Sequence, residues 1–371
     1  MRVIGLIVRA GSVVAVLAVL AALLDDGATP RLLAAGAQAT EPTASSKPTI
    51  RQPPKGTFTF AAAGDIVMGS TPNLPADGGA SFFSDVAPDL KADVSLGNLE
   101  GTLSTGGSSK CGSGSSQCFA FHTPPSYARR LKDAGFTVLN LANNHAHDFG
   151  PSAERETVRA LNRYKLLHTG RPGEIAVQRV NGIRVAVLGF APYRWAQSLT
   201  NIAAAKRLVR RASTRADVVI VMMHAGAEGV SQQHVPPATE YFLGENRGNS
   251  LAFSHAVIDA GADLVVGSGP HVLRGVEWYR SRLIAYSLGN FAGYKVFGLG
   301  GALSVSAILH VTLHGDGSID AARLVATRMV GAGTPALDSS GAAYRLIRRL
   351  SAQDFGSSGA TVSSAGTLGH A

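Results

Sequence analysis

The chain has 371 residues, 45% of them hydrophobic and only 16% charged, with 43 glycines and 17 prolines. That length allows one large domain or two ordinary ones, and the composition excludes collagen, coiled coil and disorder while favouring many short elements joined by turns, in an α/β or α+β arrangement. Basic residues outnumber acidic ones 34 to 25, a formal charge of +9, which suits a polyanionic partner or an anionic surface without demanding one.

Arg2 and Arg9 precede an uncharged apolar run from Gly11 to Leu24, which Asp25 and Asp26 end. At 14 residues the run fits the core of an export signal, whereas a membrane span needs roughly 20. Counted back to Val3 it reaches 22 residues, with Arg9 able to snorkel, so an uncleaved anchor stands beside cleavage near Ala37-Gln38-Ala39. Residues 1–39 thus read as a signal peptide or signal anchor, making the protein extracytoplasmic, either secreted or held to the membrane through this segment. Residues 40–56, rich in Thr, Ser, Pro and Lys, read as a flexible linker. Cys111 and Cys118, the only cysteines, are expected to pair as a disulfide outside the cytoplasm.

From Thr57 one arrangement recurs: an apolar strand-like run, a compact polar group, then a helix-like or Gly-rich stretch. Phe58 to Ala63 leads to Gly64-Asp65, Asp93 to Leu96 to Asn98-Leu99-Glu100, and Phe136 to Ala142 to Asn143-Asn144-His145 with Asp148 beyond. Arg184 to Phe190 is a further strand. Asp217 to Met223 leads to His224 and Glu228, Asp263 to Val266 to Gly267 through His271, and Leu283 to Leu288 to Gly289-Asn290. Glu154 to Tyr164, Ile202 to Ala212 and Ser250 to Ala260 carry apolar residues at helical spacing. Such alternation predicts an α/β sheet covered by helices, with ligands gathered beyond the carboxyl ends of the strands. Ala302 to Leu313 and Ile319 to Met329, joined by Gly315-Asp316-Gly317, predict a closing hairpin. Residues 57–330 form the expected domain. Residues 331–371 are expected to be an extension with a short helix from Ala342 to Leu350 and a disordered tail from Ser357.

Carboxylate, amide and imidazole groups without a thiolate suit a divalent Mn, Fe, Zn or Mg, as one or two ions, and such an ion activates water for hydrolysis. Asp65, Glu100, Asn144, His224 and His271 are the candidate ligands. His145, oriented by Asp148, is the candidate proton donor, and the pair forms the candidate catalytic set. Asn98, Asn143, Glu228 and Asn290 are expected to support the ligands or touch substrate.

These motifs, Gly64-Asp65, Asn98-Leu99-Glu100-Gly101, Ala142-Asn143-Asn144-His145 with Asp148 and Gly150, His224-Ala225-Gly226-Ala227-Glu228, Gly267 to His271 and Tyr286-Ser287-Leu288-Gly289-Asn290-Phe291, resemble in order the CapA family of poly-gamma-glutamate capsule synthesis. The resemblance spans about residues 57 to 330. It implies kinship with calcineurin-like metallophosphoesterases, a two-sheet sandwich flanked by helices in four αββα layers, an envelope location, and an anionic polymer or phosphoester as substrate. Two departures count against a two-ion centre: Val67 stands where the wider superfamily has a histidine, and Ser268 and Gly269 stand where many relatives carry another.

The functional expectation is a metal-dependent hydrolase of capsule polymer biosynthesis. The alternative is a non-catalytic, polyanion-binding component of capsule export or assembly. The arginine groups of residues 129–132, 207–215 and 345–349 read as solvated helix faces that could also attract polyanion, Tyr193-Arg194 as a loop or an anion contact, and His147 as solvated. No aromatic-interleaved basic motif supports nucleic-acid binding.

Overall fold

The computed structural model describes residues 53–112 and 118–371. The expected signal segment and most of the linker lie outside the described residues. Among the described residues no helix is long and apolar enough to cross a membrane.

Two sheets face each other. The first runs, in spatial order, through β14 (Thr334–Leu337), β13 (Ile319–Val330), β12 (Val305–His314), β1 (Thr57–Val67), β2 (Val94–Leu99), β3 (Val138–Asn140) and β4 (Leu167–Thr169), with β11 (Asn290–Gly293) pairing the end of β1. The second runs through β9 (Val276–Tyr279), β10 (Arg282–Ala285), β8 (Leu264–Ser268), β7 (Val218–His224), β6 (Ile183–Phe190) and β5 (Ala176–Val180). Its inner four strands are parallel and read as unbroken apolar runs, as strands covered on both faces must.

Phe58, Phe60, Val94 and Leu96 of the first sheet pack on Val185, Val187, Ile220, Met222 and Val266 of the second, forming the central core. Helices α1 (Ala128–Ala134) and α2 (Gly150–Arg163) cover the outer face of the first sheet through Leu131, Ala160 and Leu161. Helices α3 (Ile202–Ser213) and α4 (Ser250–Asp259) cover the second through Ala205, Val209, Phe253 and Val257. Asn201 and Asn249 cap these last two helices, each side chain accepting the backbone N–H three residues on. The result is the expected four-layer αββα sandwich. The hairpin of β12 and β13 also forms as expected, turning at Gly315 to Gly317.

Two expectations need correction. The apolar run from Leu283 does not remain a strand to Leu288: β10 ends at Ala285, and Tyr286 to Gly289 carry the chain from the second sheet to the first, where Asn290 opens β11. That crossing explains the glycines. An added Cβ on Gly64 would lie 2.0 Å from the Gly289 carbonyl oxygen, which accepts Asp65 N, and Gly289 itself holds φ +70°.

The tail from Ser357 is ordered, not disordered. Helix α5 spans Ala342–Phe355, longer than expected, and the chain beyond it buries Ala360, Val362 and Leu368 in the central core. Its backbone bonds both sheets: Ala360 N donates to Val276 O on β9, and Leu324 N on β13 donates to Gly366 O. Sheet edges with unpaired N–H and C=O groups need such cover, and a Gly/Ser-rich composition hides the few apolar residues that anchor it.

A candidate metal centre between the two sheets

Strand register places the polar groups at one level. Asp65 of β1 pairs with Asn290 of β11 on one side and Asn98 of β2 on the other, Asn98 with Asn140 of β3, and Asn140 with Thr169 of β4. In the facing sheet His224 of β7 pairs with Ser268 of β8. Each strand therefore stops being apolar at the same height, beyond which the chains turn into loops.

Asp65 is the hub. Its Oδ1 accepts Asn98 Nδ2 at 2.8 Å, and its Oδ2 accepts Gly269 N at 3.3 Å and faces His271 Nδ1 at 3.2 Å. His271 Nδ1 also meets Asn290 Oδ1 at 2.9 Å, so this nitrogen donates, and Nε2, facing Glu100, is the position open to a second proton or to an ion. His271 reaches that position from a left-handed backbone, φ +61°. Glu100, fully buried, turns its Oε1 toward His271 Nε2 and His224 Nε2, each 3.7 Å away, and neither of its carboxylate oxygens has a hydrogen-bond partner. Asp65, Glu100 and His224 offer donor atoms within 4.8 Å of one another.

A buried carboxylate with no hydrogen bond is costly unless something else neutralises it. Two ligands each about 2.1 Å from one ion at a tetrahedral angle stand roughly 3.4 Å apart, inside the 4.8 Å that bounds the donor atoms of this trio. Charge agrees with that fit. Glu228 pairs with the permanent cation Arg247 and Glu100 lies in its field, while Asp65 is faced by the two imidazoles. Burial, then Asp65, raise the Glu100 carboxyl well above its ordinary value. Burial opposes charge on His271, but Glu100, Asp65 and Glu228 outweigh it and lift the imidazole to about 10. Burial lowers His224 to about 4 against the pull of Asp65. Burial would raise the Asp65 carboxyl, yet the two imidazoles hold it well below the usual carboxylate range. An excess of buried negative charge thus draws a proton onto His271, as a divalent ion would satisfy it instead. The residues fit such an ion.

Asn143 supports the hub, donating from Nδ2 to Asn98 Oδ1 at 3.1 Å and accepting His145 N on its own Oδ1 at 3.0 Å. Asn144 lies beyond it with a buried, unpartnered Oδ1. His145 Nδ1 donates to Asp148 Oδ2 at 2.8 Å, and Lys110 Nζ lies 2.7 Å from the other Asp148 oxygen. Burial lowers the His145 pKa despite Asp148. Asn144, His145 and Glu228 line a cavity of about 380 Å³ with Lys110, Phe119, Phe242, Leu243 and Glu245. Cys111 and Cys118, bonded with Cα atoms 5.5 Å apart, pin the segment that carries Lys110.

Arg247 is the residue that sequence reasoning missed. It is wholly buried, donates from Nε to Gly226 O at 3.0 Å, pairs through Nη1 with Glu228 at 3.0 Å and with Tyr193 OH, and sets Nη2 3.3 Å from His224 Nε2. A two-stranded ribbon, Glu240–Phe242 against Glu245–Gly248, delivers it. No strand-end pattern marks Glu245-Asn246-Arg247-Gly248, and only the arginine's position before a glycine in a polar stretch hinted at a special role. His147, expected to be solvated, is half-buried, stacks on Trp195 with ring centres 4.9 Å apart and meets Glu154.

A four-layer αββα sandwich thus brings carboxylates and imidazoles together between its two sheets, the donor set that a divalent ion requires. Residues 59–295 match the family described as bacterial capsule synthesis protein PGA_cap, well over half of the chain, and the chain belongs to that family. It is 35% identical over 175 residues to the capsule biosynthesis protein CapA of Bacillus anthracis, covering 44% of this chain and 41% of the relative. It is 32% identical over 252 residues to the PGA biosynthesis protein CapA of Bacillus subtilis (strain 168), covering 62% and 61%. The chain therefore spans less than two thirds of the length of these relatives. Among solved structures, a 5'-nucleotidase precursor from Thermus thermophilus aligns at 15% identity with a TM-score of 0.40, over 73% of this chain and 54% of that one, a distance at which nothing about chemistry transfers.

Proposed function

We propose that this protein is an extracytoplasmic, metal-dependent hydrolase of capsule polymer biosynthesis, cutting a phosphoester or an amide bond in an anionic polymer. The observation that carries the reading is Glu100, whose two buried carboxylate oxygens lack hydrogen bonds and whose Oε1 faces two imidazole nitrogens at 3.7 Å. The names of the Bacillus relatives, which refer to capsule and PGA biosynthesis, support the polymer class.

Asp65, Glu100, His224 and His271 would hold the ion, with Asn144 Oδ1 as a further oxygen donor. When bound, such an ion polarises the scissile group and makes water a better nucleophile. Asn98 and Asn290 fix the carboxylate and imidazole of the hub before any substrate arrives. His145 gives or takes a proton at Nε2 in the cavity while Asp148 keeps Nδ1–H in place. Arg247 supplies a permanent positive charge 3.3 Å from His224, and Val67 stands in the sequence where the resemblance implies a histidine; both favour one ion over two.

The same arginine favours a second reading, the non-catalytic polyanion binder, because it donates to the His224 nitrogen that an ion would need. Elemental analysis of protein purified without added metal separates the two, combined with turnover of an aryl phosphate and of polyglutamate. The hydrolase reading expects one divalent ion per chain, with both metal and turnover lost in Asp65→Asn and Glu100→Gln. Protein that holds no ion and turns over neither substrate would leave only the binder.

A further inference from the structure

The ribbon that delivers Arg247 turns through Leu243-Gly244, two residues between the paired Phe242 and Glu245. Leu243 holds φ +48° and Gly244 φ +81°, the two left-handed conformations that such a turn needs and that Asn-Gly supplies at least cost. A leucine is strained there, and at 72% exposure it gains nothing from the core in return. Its side chain instead lines the cavity of about 380 Å³ beside His145, with Phe242 and with Phe119, itself 59% exposed. Two separate pieces of chain, the ribbon and the segment closed by Cys111 and Cys118, thus present apolar surface to one cavity.

Charge selects among occupants. Lys110 is balanced by Asp148 at 2.7 Å and Glu228 by Arg247 at 3.0 Å. Glu245 accepts Tyr193 OH but has no cation within 4 Å among the described residues, so the uncompensated charge lining the cavity is negative. A chain of carboxylates or phosphates is repelled there, whereas an uncharged hydrocarbon chain gains the contact of Phe119, Phe242 and Leu243. Position says which part of a substrate this is. His145 Nδ1 is held by Asp148, which leaves Nε2 to serve the cavity, and Glu228 joins the cavity to the centre, its Oε2 3.6 Å from His271 Nε2.

We propose that this cavity is the leaving-group subsite and that it takes an uncharged apolar alcohol, departing from a phosphoester whose anionic part lies at the metal centre. The assignment rests on the hydrolase reading and deepens it. Hydrolysis forms a phosphorus–oxygen bond to water and breaks the one to the alcohol, whose oxygen leaves with a proton from His145 while the surplus proton of water passes to solvent.

The test uses the full chain and alkyl phosphates, followed by phosphate release. Octyl phosphate is expected to exceed ethyl phosphate in kcat/KM on the order of tenfold, and to exceed 7-carboxyheptyl phosphate, of equal length with a terminal carboxylate, by a similar factor. Phe119→Ser and Leu243→Asn should each bring the octyl-to-ethyl ratio toward one. Leu243→Asn places the favoured Asn-Gly pair at the turn and should melt no lower than the parent, so a lost ratio there is not a lost fold. Calorimetry with octylphosphonate and ethylphosphonate, which cannot be hydrolysed, reads the same preference as affinity. If no ester is turned over but octylphosphonate binds more tightly and both variants abolish that margin, the hydrolase reading fails and the apolar site stands. Turnover without chain-length preference would sink the subsite and leave the hydrolase. Equal or better use of the carboxylate-bearing ester, or a preference that both variants leave intact, would overturn the proposal.

Discussion

Asp148 is placed to decide what His145 can do. It accepts the imidazole Nδ1–H at 2.8 Å and the Phe121 amide at 2.6 Å, while Lys110 balances its charge. Asp148→Asn keeps the shape but removes the anion that fixes the tautomer and supports imidazolium. Turnover of an aryl phosphate should fall about 10²- to 10⁴-fold while elemental analysis still finds the ion. A different histidine reports on stability. His310 on β12 is lowered from 6.5 to about 4, by burial first and then by Arg323 across the hairpin. Because the folded value lies below the unfolded one, the neutral ring contributes stability that is complete above pH 6.5 and lost as pH falls through 4. Thermal melts of His310→Gln should therefore lose less stability between pH 7 and pH 4 than those of the parent.

At the scale of elements, two pieces outside the strand-end motifs hold the site in place. The ribbon that delivers Arg247 is tied down by Glu240, which accepts Ala227 N and pairs with the buried Arg274 at 2.6 Å. Arg274→Met leaves a buried carboxylate without its partner, and denaturant titration should register a loss of about 3–5 kcal/mol. The C-terminal segment is the second piece. Removing residues 357–371 strips Val362 and Leu368 from the core, takes the Gly369 carbonyl from Trp278 Nε1 and opens the edges of β9 and β13. The truncated chain should be less stable by about 3 kcal/mol or more in the same titration. A mere tail would leave the midpoint unmoved.

For the whole molecule, the centre draws its candidate ligands from both sheets: Asp65 and Glu100 from the first, His224 and His271 from the second. An ion there would cross-link the two halves of the sandwich as well as neutralise them. Chelation should therefore lower the melting temperature, and adding back the ion at a hundredfold excess over its Kd should restore about 2.7 kcal/mol. A melting curve indifferent to chelation would mean that no ion bridges the sheets.

Strand-then-polar-group spacing made the four layers and most of the hub legible in sequence, because a parallel strand must be apolar until it leaves the sheet and Asp65, Asn98, His224 and His271 sit where that requirement ends. Asn143, Asn290 and the His145–Asp148 pair were legible for the same reason. Arg247 was not, since its partners lie 19 or more positions away along the chain and nothing local requires an arginine there. Nor was the order of the tail, where hydrogen bonds to two sheet edges, invisible to composition, decide the outcome. Local chemistry fixed which groups stand at the ends of strands; long-range packing alone decided which of them share one buried, negatively charged space.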